Sequence, residues 1–154
     1  TLVKHILEIL EGRKATGLDI RTLYIPQEVD DSSSIEFLSE IKDLPQAERG
    51  ALLSIVAQLN SDPERILSGE NISPGELRKL MLARGILDAP EIIVMDEPTN
   101  HLDLHSVEAL ERALSAFPGA LVLVSHDEQF LSASCPLRLD LAPEEEHTIG
   151  QPLL

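Results

Sequence analysis

The stretch that decides the fold is IIVMDEPTNHLD, which runs from Ile92 to Asp103. Its apolar residues lead directly into two adjacent carboxylates, Asp96 and Glu97, and a proline follows them. Each carboxylate of such a pair makes the other harder to ionise, so the pair is best explained if a cation or a proton transfer uses it. An acidic pair before proline is also a common polar turn at the end of a strand. The surrounding sequence distinguishes these two interpretations.

A second apolar run, Leu121 to Val124, also ends in polar side chains, because Ser125, His126 and Asp127 follow it. Both runs are continuously apolar, which indicates burial on both faces and therefore a parallel sheet between helices. The carboxyl ends of parallel strands are where open α/β sheets bind ligands. The sequence therefore predicts an α/β fold with its functional site at that edge of the sheet.

Helical spacing and turn residues predict the elements that precede these strands. Apolar residues recur at helical spacing from Leu2 to Leu10, and Gly12 lies just past the predicted end of that helix. A strand from Leu18 to Ile25 is stopped by Pro26, after which a polar loop opens. Ser33 and Glu36 have capping-box spacing and predict the start of a helix over about residues 35–41.

Further helices complete the alternation of elements. One begins near Ser73, and two others are indicated by apolar residues at helical spacing. The residues that mark these two are Leu52, Leu53, Val56 and Leu59 in the first, and Val107, Leu110, Leu114 and Phe117 in the second. Residues from about 32 to 72 are therefore expected to form a small helical insert.

Composition excludes several classes of protein. The 154 residues carry a formal net charge of -15, which argues against direct binding of a nucleic-acid backbone. The single Cys135 forms no internal disulfide and is typical of a reducing compartment, so we expect a cytoplasmic protein. No signal peptide or membrane-spanning apolar run is present in the sequence, and the histidines have no spacing typical of metal ligands.

Five stretches, in this order, carry a resemblance to a known family: YIPQE (24–28), ISPGELRKLMLAR (72–84), IIVMDEP (92–98), TNHLD (99–103) and LVSHD (123–127). They resemble the Q-loop, the signature motif, the Walker B strand with its catalytic glutamate, the D-loop and the switch histidine of an ATP-binding cassette (ABC) ATPase. DEPTNHLD and VSHDEQFL are similar to the ABC-F form, found in soluble twin-cassette ATPases that act on ribosomes. The resemblance implies a P-loop NTPase-like (RecA-like) parallel sheet core with a helical subdomain.

The resemblance also implies ATP and Mg²⁺ as cofactors and assigns residues to them. Glu97 would be the general base, and His126 would contact the γ-phosphate. Asp96 and Gln27 would hold the magnesium ion, and Gln27 would also sense the γ-phosphate. Asp103 in the D-loop would shape the interface with a second cassette.

The signature motif has two candidate positions, ILSGE (66–70) and ISPGE (72–76), and the second has the expected distance to LMLAR in the following helix. Ser73 would cap that helix, with Pro74 at its first position and Glu76 at its third, so that its free amides and dipole could face a phosphate. An ordinary capping box is equally sound physically, and both descriptions can hold. The resemblance assigns Ser73, Gly75 and Glu76 to the nucleotide of the partner cassette.

The phosphate-binding loop of the family, Walker A, is missing, because the sequence contains no Gly-Lys pair. Thr1 and Leu2 resemble the residues that follow the lysine of that loop, which predicts a fragment cut at or just after Walker A, without the Walker A strand. We expect residues 1–154 to be one incomplete ABC ATPase domain. Within it, residues 32–72 would form the leading part of the helical subdomain, 73–141 the signature helix and core, and 142–154 a peripheral tail.

The expected function is ATP binding and hydrolysis that drives cassette closure and is coupled to a task on the ribosome. The intact protein would be an ATPase, whereas this fragment alone would be inactive without Walker A. An alternative is the ATPase subunit of an ABC transporter, and another is a non-catalytic cassette that serves as an interaction module. The expected partner is a second cassette, in the same chain or a dimer, with the ribosome as a further candidate and no membrane insertion.

Overall fold

The protein is described by a computed structural model covering residues 2–14, 17, 20–68 and 72–139. In the described parts of the chain, four consecutive helices separate the first two strands, and one helix separates the second strand from the third. Their bounds, in chain order, are α1 Leu2–Lys14, β1 Thr22–Ile25, α2 Asp31–Asp43, α3 Gln46–Gln58, α4 Pro63–Ser68, α5 Pro74–Leu87, β2 Ile92–Asp96, α6 Leu104–Ser115, β3 Ala120–Val124 and α7 Glu128–Ser134.

The three strands described form one parallel sheet in the order β1-β2-β3, so β2 lies in the centre. Thr22 pairs with Ile92 in the register of β1 and β2, and Asp96 pairs with Val124 in that of β2 and β3. All three strands therefore end at the same edge of the sheet. The parallel sheet predicted from the continuous apolar runs is confirmed.

The core lies between this sheet and the helices, because β2 is buried along most of its length and α5 is buried on most sides. It is built mostly from aliphatic side chains, and its largest fully buried members include Leu52, Val56, Leu80, Leu82, Ile93, Leu114 and Phe130. Gly85 allows α5 to approach β1 closely, since a Cβ at this position would collide with the Leu23 side chain. The position of α5 against the sheet thus depends on a residue without a side chain.

The insert predicted over residues 32–72 is helical where it is described, as α2, α3 and α4. Its first helix begins earlier than the sequence predicted. Asp30, and not Ser33, is the N-cap of α2, because the Asp30 carboxylate accepts hydrogen bonds from the Ser33 amide at 2.9 Å and the Ser33 hydroxyl at 2.6 Å. The Ser33 and Glu36 capping box was therefore wrong.

Several predicted boundaries were also wrong. Gly12 lies inside α1, and β1 begins at Thr22 because pairing with β2 begins there; Leu18 lies outside the described residues. Helix α6 ends at Ser115, so Phe117 follows the helix and is not part of it. Helices α4 and α7 were not predicted, and the tail at 142–154 lies outside the described residues.

Among the described residues, no helix has the length and apolar character needed to cross a membrane.

Candidate functional site

Glu97 follows β2 at the carboxyl edge of the sheet, and its surroundings fix its position. Its amide donates a hydrogen bond of 2.7 Å to the Val124 carbonyl at the end of β3. Its carboxylate accepts a bond of 3.4 Å from the Ser125 hydroxyl, and its other oxygen lies 3.5 Å from Nε2 of His126. The Glu97 side chain is only 12% exposed, whereas the imidazole is fully exposed. The site thus joins a sheltered carboxylate to a side chain that reaches into solvent.

An open cavity of about 390 Å³ lies at this edge of the sheet. Gln27, Asp96, Glu97, Asn100 and His126 line it, together with two valines. Four of the predicted site residues therefore meet around one space, and they come from the ends of all three described strands or the turns after them. Parallel pairing explains the meeting, because it brings the carboxyl ends of β1, β2 and β3 to one edge.

Asp96 and Gln27 bring to the cavity side-chain oxygen atoms of the kind that Mg²⁺ prefers as ligands. Within the described parts of the chain, no group of three or more His, Cys, Asp or Glu side chains could hold a metal by itself. Magnesium commonly binds one or two carboxylates and takes its other ligands from phosphates and water. The donor set around the cavity thus fits a magnesium ion that arrives with a phosphate compound. The negative charge of Asp96 also reaches Tyr24, whose pKa is raised first by burial and then by that charge.

The N-terminus of α5 has the capping box predicted from the sequence. The Ser73 hydroxyl accepts a bond of 3.2 Å from the Glu76 amide, and the Ser73 amide donates one of 2.9 Å to the Glu76 carboxylate. Burial raises the pKa of Glu76, but the Ser73 hydrogen bonds and the charges of Arg65 and Lys79 outweigh it and lower the pKa overall. Ser73, Gly75 and Glu76 do not line the Glu97 cavity.

Gly75 lies where α5 meets the TNHLD turn. A Cβ there would come within 2.8 Å of the His101 carbonyl oxygen and 2.9 Å of Leu102 Cδ2, both closer than a side chain tolerates. Asp103, at the end of the turn, is the N-cap of α6 and accepts a bond of 2.8 Å from the Ser106 amide. Hydrogen bonds from Ser106 lower the pKa of Asp103, against a smaller opposing effect of burial.

Sequence reasoning missed two residues that contact this site. Ser125 donates to Glu97 through its hydroxyl, and its place between β3 and His126 could have indicated this contact. Arg78 of α5 donates a bond of 2.9 Å from Nη1 to the carbonyl of Glu97 and another from Nη2 to the carbonyl of Asn100. These acceptors are main-chain atoms, so no sequence pattern identifies them.

Comparison with known proteins places the chain in a family. The sequence profile of the family described as "ABC transporter" matches residues 6–100, more than half of the chain. The chain belongs to the ATP-binding cassette (ABC) family. The resemblance drawn from the five sequence stretches is thereby confirmed.

Curated relatives of this ABC chain are ABC-F proteins. The "Putative ATP-binding protein YdiF" of Bacillus subtilis strain 168 is 35% identical over 150 residues, covering 92% of this chain and 23% of the relative. The "Energy-dependent translational throttle protein EttA" of Escherichia coli K12 is 33% identical over 135 residues, covering 85% of this chain and 24% of the relative. The ABC chain therefore spans about a quarter of the length of these relatives.

A solved structure, that of an "ATP binding subunit of ABC transporter", shares the fold of this ABC chain. It superposes with a TM-score of 0.54 at 23% identity, covering 75% of this chain and 52% of the other. The α/β, P-loop NTPase-like architecture predicted from the sequence is confirmed by this likeness and by the parallel sheet.

Proposed function

We propose that this cassette is part of an ABC-F-like ATPase that binds ATP with Mg²⁺, hydrolyses it, and couples closure of two cassettes to a task on the ribosome. The observation that carries the proposal is the convergence of Gln27, Asp96, Glu97 and His126 on one cavity at the carboxyl edge of the sheet. Phosphoryl transfer to water needs a charged cofactor, a positioned water and a proton acceptor. The cavity offers a group for each of these tasks.

Glu97 is the proposed general base. Its carboxylate is sheltered from solvent yet lines the cavity, so it can take a proton from a water bound there. The Ser125 hydroxyl and the main-chain bond to Val124 limit the directions in which this carboxylate can point. A fixed base of this kind lowers the barrier because the water and the acceptor are already aligned.

Asp96 and Gln27 are the proposed magnesium ligands, and His126 is the proposed contact for the γ-phosphate. The ion, when bound, neutralises charge on the phosphate oxygens. The exposed imidazole of His126 projects beyond Glu97 and can donate a hydrogen bond to a phosphate oxygen while remaining 3.5 Å from the Glu97 carboxylate. Gln27 lies just after the end of β1 and lines the cavity, so its side-chain amide oxygen can bind the ion there.

The N-terminus of α5 is proposed to meet a nucleotide held by a second cassette. Pro74 has no amide hydrogen, and the Glu76 amide is already bonded to the Ser73 hydroxyl. The amide of Gly75 has no partner within the helix and points out of its positive end. The proposed phosphate contact of Ser73, Gly75 and Glu76 thus rests on the Gly75 amide, since the Ser73 hydroxyl donates to the Glu76 carboxylate at 2.8 Å, and Asp103 shapes the adjoining turn.

The proposed task on the ribosome is supported by the curated relatives. EttA, whose name describes an energy-dependent translational throttle, aligns with 85% of this chain. To test the proposal, the natural protein that contains this sequence would be purified at full length and its ATP turnover measured with Mg²⁺ and with EDTA. Sedimentation with ribosomes would be measured with and without ATP. Magnesium-dependent turnover and nucleotide-dependent sedimentation are expected, and absence of turnover would contradict the ATPase assignment.

A transporter subunit is the second candidate, favoured by the match to the family described as "ABC transporter". A transporter ATPase would sediment with membranes that contain its membrane subunit, and ribosomes would not retain it. A non-catalytic cassette would bind its partner equally well with and without ATP. Sedimentation with ribosomes and with membranes, each measured with and without ATP, therefore separates the three functions.

A further inference from the structure

Helix α5 holds the turn that carries Glu97 through a buried arginine. Arg78 is only 5% exposed, and its guanidinium donates to the carbonyl oxygens of Glu97 and Asn100. Two donors in one rigid plane fix two carbonyls relative to each other, which a flexible ammonium cannot do. The arginine therefore restrains the direction of the peptide units on either side of Pro98 and Thr99.

The turn held by Arg78 has a backbone conformation that needs outside support. Glu97 has a φ of 47° and His101 a φ of 63°, both in the left-handed region that residues with side chains seldom adopt. Such conformations persist when the surrounding structure holds them in place. Within the turn, the Asn100 amide donates to the Glu97 carbonyl and the Leu102 amide to the Thr99 carbonyl, each at the rather long distance of 3.2 Å.

Gly75 adds a third point of attachment, because the absence of a Cβ lets α5 lie against the His101 carbonyl. One face of α5 thus contacts the turn at its beginning, middle and end. Arg78 does not line the cavity around Glu97, although it lines a second cavity of about 360 Å³ that shares Gln27 with it. Its guanidinium donates to main-chain carbonyls of the turn, so the contact shown is with the main chain.

We propose that Arg78 is a positioning residue for Glu97: it holds the main chain of the turn in the conformation that aims the Glu97 carboxylate into the cavity. The proposal rests on the proposed function, since the aim of Glu97 matters only if this side chain acts as the base. It assigns to the middle of α5 a task separate from the phosphate surface proposed for its N-terminus.

The test compares Arg78→Met and Arg78→Lys in the full-length natural protein. Arg78→Met removes both hydrogen bonds, whereas Arg78→Lys keeps the charge and can reach one carbonyl. Arg84→Met is the matched control, because Arg84 lies on the same helix and bonds to Asp88 at 2.8 Å, away from the turn.

The first readout is amide hydrogen exchange in the turn. We expect the amides of Asn100 and Leu102 to exchange about tenfold faster in Arg78→Met, since loss of a hydrogen bond to a charged group shifts a local equilibrium by about that factor. The amide of Ala120, bonded to Glu91 at the opposite edge of the sheet, should keep its wild-type rate. Arg84→Met should leave all three rates unchanged.

The second readout is steady-state ATP turnover. Displacement of a base from its aligned position lowers kcat by up to about 10²-fold, while KM for ATP should stay unchanged because Arg78 does not line the cavity. Arg78→Lys should lie between Arg78→Met and wild type. A role in general stability alone would lower the melting temperature without this selective loss of kcat.

The proposal would be overturned if the amides of Asn100 and Leu102 exchanged at the wild-type rate in both Arg78 variants. It would also be overturned if ATP turnover by these variants showed a changed KM and an unchanged kcat. If Arg78→Met does not fold, Arg78→Lys alone decides the outcome by the same two criteria. A wild-type protein without ATP turnover would contradict the proposed function, and the exchange rates would then still decide whether Arg78 holds the turn.

Discussion

Replacement of Lys79 by methionine tests how α5 is joined to the elements around it. The Lys79 ammonium is buried, with 6% of the residue exposed, and donates to three acceptors. These are the Ser106 hydroxyl at 2.6 Å, the Asn60 carbonyl at 3.1 Å and the Ser61 hydroxyl at 3.2 Å. Lys79→Met keeps the unbranched apolar stem of the side chain, one heavy atom shorter, and removes all three bonds.

The expected loss of stability follows from where the acceptors lie. Ser106 is 1% exposed, so loss of its bond to a charged donor costs about 1.5–3 kcal/mol. Asn60 is exposed and Ser61 half-buried, so water can replace the ammonium there at little cost. Burial lowers the pKa of Lys79, against the charges of Asp103 and Glu76, and methionine avoids the corresponding cost of a buried charge. We therefore expect a net destabilisation of about 2 kcal/mol.

Urea unfolding followed by circular dichroism would measure this difference. Lys42→Met is the matched control, because Lys42 is an exposed lysine in the last turn of α2, and its replacement should change stability by less than about 0.5 kcal/mol. Equal stability of Lys79→Met and wild type would refute the reasoning, since it would mean that the cost of burying the ammonium equals the gain from its hydrogen bonds.

Two further predictions concern packing and pH. Gly85→Ala should lower the free energy of unfolding by about 1–3 kcal/mol, because the new Cβ collides with Leu23. In Gly12→Ala the new Cβ meets no atom within 4 Å, so the higher helix propensity of alanine should raise the free energy of unfolding by up to about 1 kcal/mol. If urea unfolding showed that both substitutions change the free energy of unfolding in the same direction, the packing argument would be contradicted. Because the folded-state pKa of Glu76 is lowered, its stabilisation of α5 exists above the unfolded carboxyl pKa of about 4.3 and is lost as pH falls through the folded value. Glu76→Gln should therefore lose less stability than wild type between pH 7 and pH 3, and identical pH profiles would exclude this role.

Local signals in the sequence predicted the parts of the fold that local chemistry determines. Ser73 and Glu76 predicted the start of α5 correctly, because the capping box needs only residues three positions apart. The same rule failed at α2, where Asp30 offers a carboxylate to the amide and hydroxyl of Ser33 and so begins the helix earlier. Asp30 and Ser33, three positions apart, are both suitable capping residues, and the sequence alone does not rank them.

Features that depend on distant partners could not be predicted. The start of β1 is set by its pairing with β2, far along the chain, and the apolar pattern before Thr22 gave no sign of it. Arg78 and Lys79 are charged residues that would ordinarily lie at the surface, yet both are buried, because polar atoms of segments distant in the chain accept their hydrogen bonds. The cavity residues were identified through their motifs, and their convergence follows from the parallel sheet.

The most direct test of the proposed ATPase site is turnover by Glu97→Gln in the full-length natural protein. Glutamine keeps the shape of the side chain but is a far weaker proton acceptor, so kcat should fall by about 10²–10⁴-fold while ATP binding is retained. Glu91→Gln is the control, since Glu91 lies just before the other end of β2 and bonds to the Arg21 amide at 3.0 Å. Wild-type turnover in Glu97→Gln, with Glu91→Gln equally active, would contradict the assignment of Glu97 as the general base.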